Sequence, residues 1–552
     1  MHVEPAGPGA RYLVFGGTPT PELSRRIGAV AEAVRAALPH GAFDVVPGYL
    51  DILVEGRAAL PPERLLALAE TAGAGAAPHP PRAFEVPVAY GAEADSAPLT
   101  ERLGLAWPDI VALHTGGKYT VAYIGFTPGF PYLHGLDPRL QTPRRDRPRP
   151  DVPAGAVAMA GAQAGIYPEA GPGGWWVLGT TTFPLFMPDR PEPTVLRAGD
   201  EVRFVPQAHG GSDGAKAAGS RGASVDRPPA EHQAERWAEP LVTVLEVWPG
   251  SASLQGRPRV GVGHHGLAET GALDQRLLLA LHLAVGAPLD MASIELPVPH
   301  AALRAEAPTV AAFGGAAAAS LRGGELTPGV PFEWRAGEVL TVRPAPTGAR
   351  QRAGVPILSV AGGLAPLGGA AGHPLLATGG STDVRGRVGG FGRWLRPGDV
   401  LVRGATGGAA PVPPARRAAG AALGHHPREL ALHLYPGSHA GAAGFAHLLS
   451  SAFVVSERSR MGVRLEPRGG RAAPGAPVTG TETSRGMPLG AVQLPPDGRP
   501  LVLLADRGRT GGYPVVGVVA RADLAGLAQA RAGTVVTFRA PGDPGGRTAH
   551  PE

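Results

Sequence analysis

Along the first ninety residues the apolar positions switch between two periods. Segments 11–15, 43–54 and 84–89 are short apolar or alternating runs of the kind a strand makes. Segments 21–38 and 61–71 carry apolar residues every three or four positions. Each has proline near its start, where a helix leaves a backbone N–H unpaired anyway. This order predicts a small α/β sandwich over residues 1–90. From about residue 119 the pattern turns to short apolar strands broken by glycine and proline, which predicts barrels or sandwiches. Stretches 207–240 and 406–427 carry almost no core-forming aliphatics and read as flexible linkers, and 541–552 reads as a disordered tail. They separate β-rich blocks at 91–206, 241–405 and 428–540.

One short element recurs four times: LRAGDEVRF (196–204), WRAGEVLTV (334–342), LRPGDVLV (395–402) and ARAGTVVTF (530–538). Each reads as a tight turn feeding a strand that closes a β module. The fold class expected is therefore mainly β with an α/β N-terminal part. The passage 119–135, with glycines and prolines set among Phe126, Phe130 and Tyr132, predicts a rigid aromatic loop on a β scaffold, where small-molecule sites tend to lie.

Composition narrows the function classes. A chain of 552 residues is too long for one core. Its 51 basic and 46 acidic residues give a net charge of +5 without a run of five like charges, which disfavours nucleic-acid binding. The absence of cysteine excludes disulfides, thiolate nucleophiles and CxxC metal sites. No basic start precedes an apolar h-region, and the longest apolar run, 277–285, is short and contains His282. A soluble cytoplasmic protein with no membrane partner is the expectation.

The familiar catalytic motifs are missing. GVGHHG (261–266) satisfies GxGxxG but lacks the flanking strand and the helix with a later acidic residue that a dinucleotide fold requires. His264–His265 and His425–His426 lack metal-ligand spacing, so no metal ligand is assigned. There is no GxxxxGK[ST], and neither of the two lysines, Lys118 and Lys216, lies near a serine-rich nucleophile segment. What remains are polar residues in segments pinned by glycine and proline. In the first half these are His114, Arg144, Gln163 and Tyr167. In the second they are Thr270 and Asp274 of ETGALD, then Arg460, Arg464, Gln493, Asp506, Thr510 and Tyr513. Arg460 and Arg464, four apart on a strand, share a face and could converge on a phosphate or carboxylate, or be salt-bridge partners.

On these residues a resemblance becomes specific. The stretch YTVAYIGFTPGFPYLHGLDP through GIYPEAGPGGWWVLGTT resembles the B-type subunit of bacterial ATP-dependent 5-oxoprolinases. HHGLAETGALD, SVAGGLAP, STDVRGRVGGFGRWLRPGDVL, SRMGVRL and GAVQLPPDGRPLVLLADRGRTGGYP resemble the companion C-type subunit. The chain thus looks like a B–C fusion. The resemblance implies a ferredoxin-like α/β domain followed by three cyclophilin-like β-barrel modules. It implies phosphorylation of the 5-oxoproline lactam by ATP with Mg²⁺, and a separate A-type subunit that completes hydrolysis to glutamate. It further implies a substrate site drawn from His114, Phe126, Phe130, Arg144, Gln163, Tyr167, Arg259, His264, Thr270, Arg393, Gln493, Thr510 and Tyr513. Asp274, Asp506, Arg460 and Arg464 are the expected catalytic groups. The sequence departs from the pattern at Gly256, where an acidic residue is usual, and at His282 and Ala287, where asparagines are common. The same two modules also resemble the carboxyl-transfer part of urea carboxylase, although neither lysine follows Met as a biotin carrier requires. A histidine-kinase-inhibiting protein is the third reading. Pairing of the two halves within one chain, and oligomerisation, are left open.

Overall fold

The computed structural model describes residues 1–75, 79–91, 95–145, 149–188, 190, 192–207, 240–315, 317–344, 355–361, 363–366, 393–404, 428–439, 441–469, 484–495 and 497–542. The expected linkers 207–240 and 406–427, and the tail 541–552, fall almost wholly outside them.

Strands β1 (His2–Pro5), β2 (Ala10–Val14), β3 (Phe43–Pro47) and β4 (Asp51–Gly56) pair antiparallel in the order β1-β2-β4-β3. Helices α1 (Pro21–Ala37) and α2 (Pro62–Gly75) cover one face. In α1 the Thr20 hydroxyl accepts from Leu23 N at 3.2 Å, which caps the helix ahead of Pro21. Ile27, Val30, Ala31 and Val34 then recur on one stripe and pack on Val45, Ile52 and Val54. One expectation is corrected: β5 (Ala83–Tyr90) does not join this sheet. The hairpin strand β1 takes the edge, and β5 opens the following barrel.

That barrel follows α3 (Ser96–Leu103) and α4 (Trp107–Gly116). It uses β6 (Tyr119–Gly125), β7 (Phe130–His134), β9 (Ala156–Ala160), β10 (Gln163–Ile166), β12 (Trp176–Thr180) and β13 (Glu201–Pro206), with β8 (Arg149–Val152) and β11 (Gly171–Gly173) as a side ribbon. The barrel is closed, in the order β10-β7-β6-β13-β5-β12-β9, and β13 completes it by running parallel to β5. Period-two alternation sorts its side chains into two clusters. Val157, Met159, Trp176 and Leu178 pack with α3 and α4. Their neighbours Ala156, Ala158, Trp175 and Val177 pack with Tyr49 of the preceding domain. A bulge between Val121 and Tyr123 places Ala122 and Tyr123 together in the second cluster.

Next comes the middle module, from Pro240 to Gly404 among the described residues. Its described strands form a seven-stranded and a five-stranded sheet around a core containing Leu254, Phe313, Trp334 and Leu401. Helix α5 (Gln275–Val285) packs Leu277, Leu278, Leu281 and Val285 against Ala312 and Ile357. The third module is again a closed barrel, with Val535–Arg539 parallel to Glu429–Pro436. Its core includes Leu434, Phe453, Val463, Val502 and Phe538.

The four repeated turns share one geometry. Gly199, Gly337, Gly398 and Gly533 have φ of 90, 82, 91 and 88°, the left-handed region that glycine enters without strain. In each, the residue after the glycine donates its N–H back to the arginine carbonyl at 3.0–3.1 Å. The same residue's side chain accepts from that arginine's N–H: Asp200, Glu338, Asp399 and Thr534 serve alike at 2.8–3.0 Å. The sequence reading of a turn feeding a closing strand therefore holds for both barrels.

Candidate functional site

The two halves of the chain meet along a continuous seam. Three second-half segments (261–271, 484–489 and 505–513) lie against β3, β4 and the 125–130 loop. The loop's fit is tight at Gly266, whose φ of 79° goes with a close approach: a Cβ there would stand 2.2 Å from the Thr127 carbonyl oxygen. Gly129 N donates to the His265 carbonyl at 3.0 Å. The glycines of GVGHHG thus serve close packing, and Gly261 and Gly263 donate their N–H groups to Asp44 at 3.0 and 2.8 Å.

On the first-half side a buried aromatic cluster adjoins this seam. Tyr123 stacks on Tyr132 at 4.5 Å, and Tyr49 meets Tyr123 edge-on at 5.1 Å. Phe130 meets Tyr167 at 5.2 Å and Trp175 at 5.7 Å, and Phe126 meets Phe130 at 5.5 Å. Phe126 is one of three non-glycine residues with positive φ among the described residues, at 58°. It is held by the second half: its N–H donates to Thr510 Oγ1 at 2.7 Å, its carbonyl accepts from Arg509 N at 3.3 Å, and the Thr510 hydroxyl donates to Tyr132 at 3.3 Å. Backbone strain held by surrounding contacts clusters at functional sites. Thr510→Val should therefore cost about 1–3 kcal/mol by stranding the Phe126 N–H, with faster amide exchange at Phe126. Thr510→Ser, which keeps the hydroxyl, should restore protection; unchanged exchange in the valine variant would remove Thr510 from this role.

Arg144 reaches into the same place. Its guanidinium touches Ser484 Oγ at 3.4 Å and lies 5.9 Å over the Tyr513 ring, and no carboxylate among the described residues pairs with it. Tyr123 donates to the Ser484 carbonyl at 3.1 Å, and the buried Tyr49 hydroxyl has no partner among the described residues. A cation without a counter-ion, ringed by hydroxyls and aromatic faces, suits a small anion with a flat body.

Beside it, Arg485 pairs with Asp51 at 2.8 Å and lies 3.8 Å over the Tyr12 ring. Burial pushes the Asp51 carboxyl up to about 6 against the pull of Arg485. The folded state then holds a proton that the unfolded chain releases near pH 4. This group favours folding fully below about pH 4, and the contribution, about 2–3 kcal/mol, is lost as pH rises through about 6. Melting curves across that window should flatten in Asp51→Asn; an unchanged slope would show that another group controls it.

Deeper in the seam, Arg507 and Arg509 are fully buried among three carboxylates. Arg507 contacts Glu55 at 2.7 Å and Glu269 at 3.1 Å, while Arg509 stands 3.4 Å from both Glu269 and Asp44. Burial pushes Glu269 up, but Arg507, Arg521 and Arg509 together outweigh it and hold the carboxyl below its ordinary range. At Asp44 and Glu55 burial wins and the carboxyls are raised.

Of the residues singled out in the sequence, Phe126, Phe130, Arg144, Tyr167, Thr510 and Tyr513 come together here. Gln493 lies close by, buried under Gly511 and donating to Met487 Sδ at 3.4 Å. Others do not join them. His114 stacks on Phe204 at 4.5 Å inside the first barrel and bonds the Tyr90 hydroxyl at 2.7 Å; burial lowers it to about 3. Gln163 is half-buried opposite Ala160. Arg259 donates to the Thr270 hydroxyl at 3.2 Å, and Thr270 has a φ of 52°. His264 is not exposed, and its Nδ1 has no partner among the described residues. Arg393 forks onto Asp399 at 2.7 and 2.8 Å in a repeated turn.

The expected catalytic groups are committed elsewhere. Asp274 caps α5, accepting from Leu277 N at 2.9 Å and from Gln529 at 3.1 Å. Arg460 forks onto Asp506 at 2.8 and 2.9 Å and also bonds Glu295. Arg464 pairs only loosely, at 3.8 Å, with Asp497, so the two arginines do not converge. Gly256 lies inside the middle module, its carbonyl accepting from Ala272 N at 2.9 Å. No group of three metal-ligating side chains occurs among the described residues. None of the described helices is long and apolar enough to cross a membrane. Sequence reasoning missed Tyr49, Tyr123, Tyr132 and Ser484, of which only Tyr132 carried a signal, as part of the aromatic loop.

Comparison with known proteins places this arrangement. The family model for the carboxyltransferase domain, subdomains C and D, matches residues 1–196, and that for subdomains A and B matches 265–540. The chain belongs to the carboxyltransferase-domain family. Within it, the protein TTHA0988 is 36% identical in its crystal structure, with a TM-score of 0.75 over 96% of this chain and 99% of that one. The B-type 5-oxoprolinase subunit of Escherichia coli O157:H7 is 50% identical over 131 residues, 23% of this chain and 60% of that protein. The C-type 5-oxoprolinase subunit of Haemophilus influenzae is 47% identical over 57 residues, 10% of this chain and 18% of that protein. The chain thus spans about 60% or less of these curated relatives in the matched regions. This chain joins a part similar to a B-type subunit to a part similar to a C-type subunit, and the two face each other across the seam.

Proposed function

We propose that this chain is the B–C component of an ATP-dependent 5-oxoprolinase, binding 5-oxo-L-proline at the Arg144 site and phosphorylating its lactam oxygen, after which a separate A-type subunit hydrolyses the activated ring to L-glutamate. One observation carries the reading: a guanidinium with no carboxylate partner among the described residues stands beside an aromatic wall where the B-like and C-like halves meet. Arg144 would take the substrate carboxylate, and the Tyr132–Tyr167 wall would cover the flat ring. The Thr510 strap would hold the loop in place. ATP would supply the phosphoryl group. Mg²⁺ would accompany the nucleotide and offset charge on its phosphates.

Purified protein mixed with an A-type partner, ATP, Mg²⁺ and 5-oxoproline should release glutamate and ADP. Arg144→Ala should lower turnover at least tenfold, about 1.4 kcal/mol. Product no higher than with the partner alone would overturn the proposal. The family's carboxyltransferase description favours a second reading, carboxyl transfer to an amide, which biotin-dependent turnover in the same assay would support.

A further inference from the structure

We infer that a cleft between the N-terminal hairpin and the third module is a second ligand site, built for a metabolite-sized dicarboxylate with a short apolar spine. The cleft, of about 260 Å³, lies between the β1–β2 turn and the residues around 488 and 518–522. That is just under the ~300–1,000 Å³ of sites for drug-sized ligands. Its walls are apolar, Leu489 and Val518 among them, and four polar side chains line it: Glu55, Arg57, Tyr435 and Arg521.

Glu55 has nothing left to offer a ligand. Its Oε1 accepts from Leu489 N at 2.7 Å and its Oε2 from Arg507 at 2.7 Å. The other three present donors. Arg57 is exposed and has no hydrogen-bond or ion-pair partner among the described residues. Arg521 is 40% exposed and stands 3.9 Å from Glu55 and 3.7 Å from Glu269, beyond hydrogen-bond distance. The half-buried Tyr435 hydroxyl has no partner among the described residues. Arg57 and Tyr435 are donors with no partner among the described residues, and Arg521 keeps only long contacts to Glu55 and Glu269, so the three together complement an anion. Two guanidiniums match two carboxylates, and apolar walls favour a carbon spine over bare phosphate. None of these residues belongs to the Arg144 site, and they come from both halves. A bound ligand would therefore staple the halves together and raise stability by mass action.

The test uses the full chain and glutarate as probe, read by titration calorimetry and melting temperature. Glutarate should bind saturably and raise the melting temperature; butyrate, with one carboxylate, should do neither. Arg57→Gln and Arg521→Gln should each weaken glutarate binding at least tenfold, and Arg144→Gln should leave it unchanged. Arg57 is exposed and unpaired, so its variant stays folded even if Arg521→Gln does not. Absence of saturable binding, binding that survives Arg57→Gln, or binding lost in Arg144→Gln would overturn the assignment. Inorganic phosphate binding as tightly as glutarate would also overturn it.

Discussion

Arg507→Ala should cost about 3–5 kcal/mol, because removing one partner of a buried ionic group leaves its carboxylates uncompensated. Glu55 and Glu269 would lose their shortest guanidinium contact, and the Met487 carbonyl would lose its 2.9 Å bond from Arg507. The damage should concentrate on the seam, since Glu55 belongs to the first half and Arg507 and Glu269 to the second. After proteolytic cleavage within 208–239, the wild-type halves should co-elute on size exclusion, whereas those of the variant should separate. Adding Glu269→Gln to the variant should recover part of the loss, and a double-mutant cycle would measure the coupling. A variant whose melting temperature and co-elution match the wild type would mean that the buried charges contribute little to joining the halves.

Arg460→Ala should be about as destabilising, again about 3–5 kcal/mol. Burial raises Glu295 above its ordinary range even beside Arg460, so the carboxyl would be left with Leu273 N as its remaining bond and a strong penalty for ionising. This separates a structural role from a catalytic one. If Arg460 holds Glu295 and Asp506, turnover per folded molecule should be near wild type while stability falls. A phosphate clamp would show the reverse, a loss of turnover at unchanged stability. Arg464→Ala, on a loosely paired and partly exposed side chain, should change stability by no more than about 0.5 kcal/mol.

Which parts of the fold could be read from the chain follows from how far each signal reaches. The repeated Arg-x-Gly-polar turn is local: one glycine at positive φ and one side-chain cap define it, so four copies were visible in the sequence. The allegiance of β5 was not. An apolar strand reads the same whether it pairs with β4 or with β13 and β12, and only the tertiary partner decides. The site divides along the same line. Phe126, Arg144, Thr510 and Tyr513 stand in segments pinned by glycine or proline and were legible as candidates. Tyr49 lies in a different domain and enters only because β3 and β4 dock on the barrel. For Arg460 and Asp506 the sequence left two readings open, chemistry or a structural ion pair, because an ionic residue in a strand-rich block suits both. They pair with each other, and the further partners of Arg460, Glu295 and the Gly271 carbonyl, lie in another module, beyond the reach of spacing arguments.

The parallel closing strands also bear on biosynthesis. In each closed barrel the first strand is sealed by the last: β5 waits for β13, and Glu429–Pro436 for Val535–Arg539. A ribosome therefore releases every other strand of a barrel before the one that removes its open edge, and pairing at such sequence separation is slow. In the interim β5 offers an unpaired backbone edge to any neighbouring chain. A product ending before Glu201 would keep that edge permanently, and aggregation rather than a smaller folded domain is its expected fate.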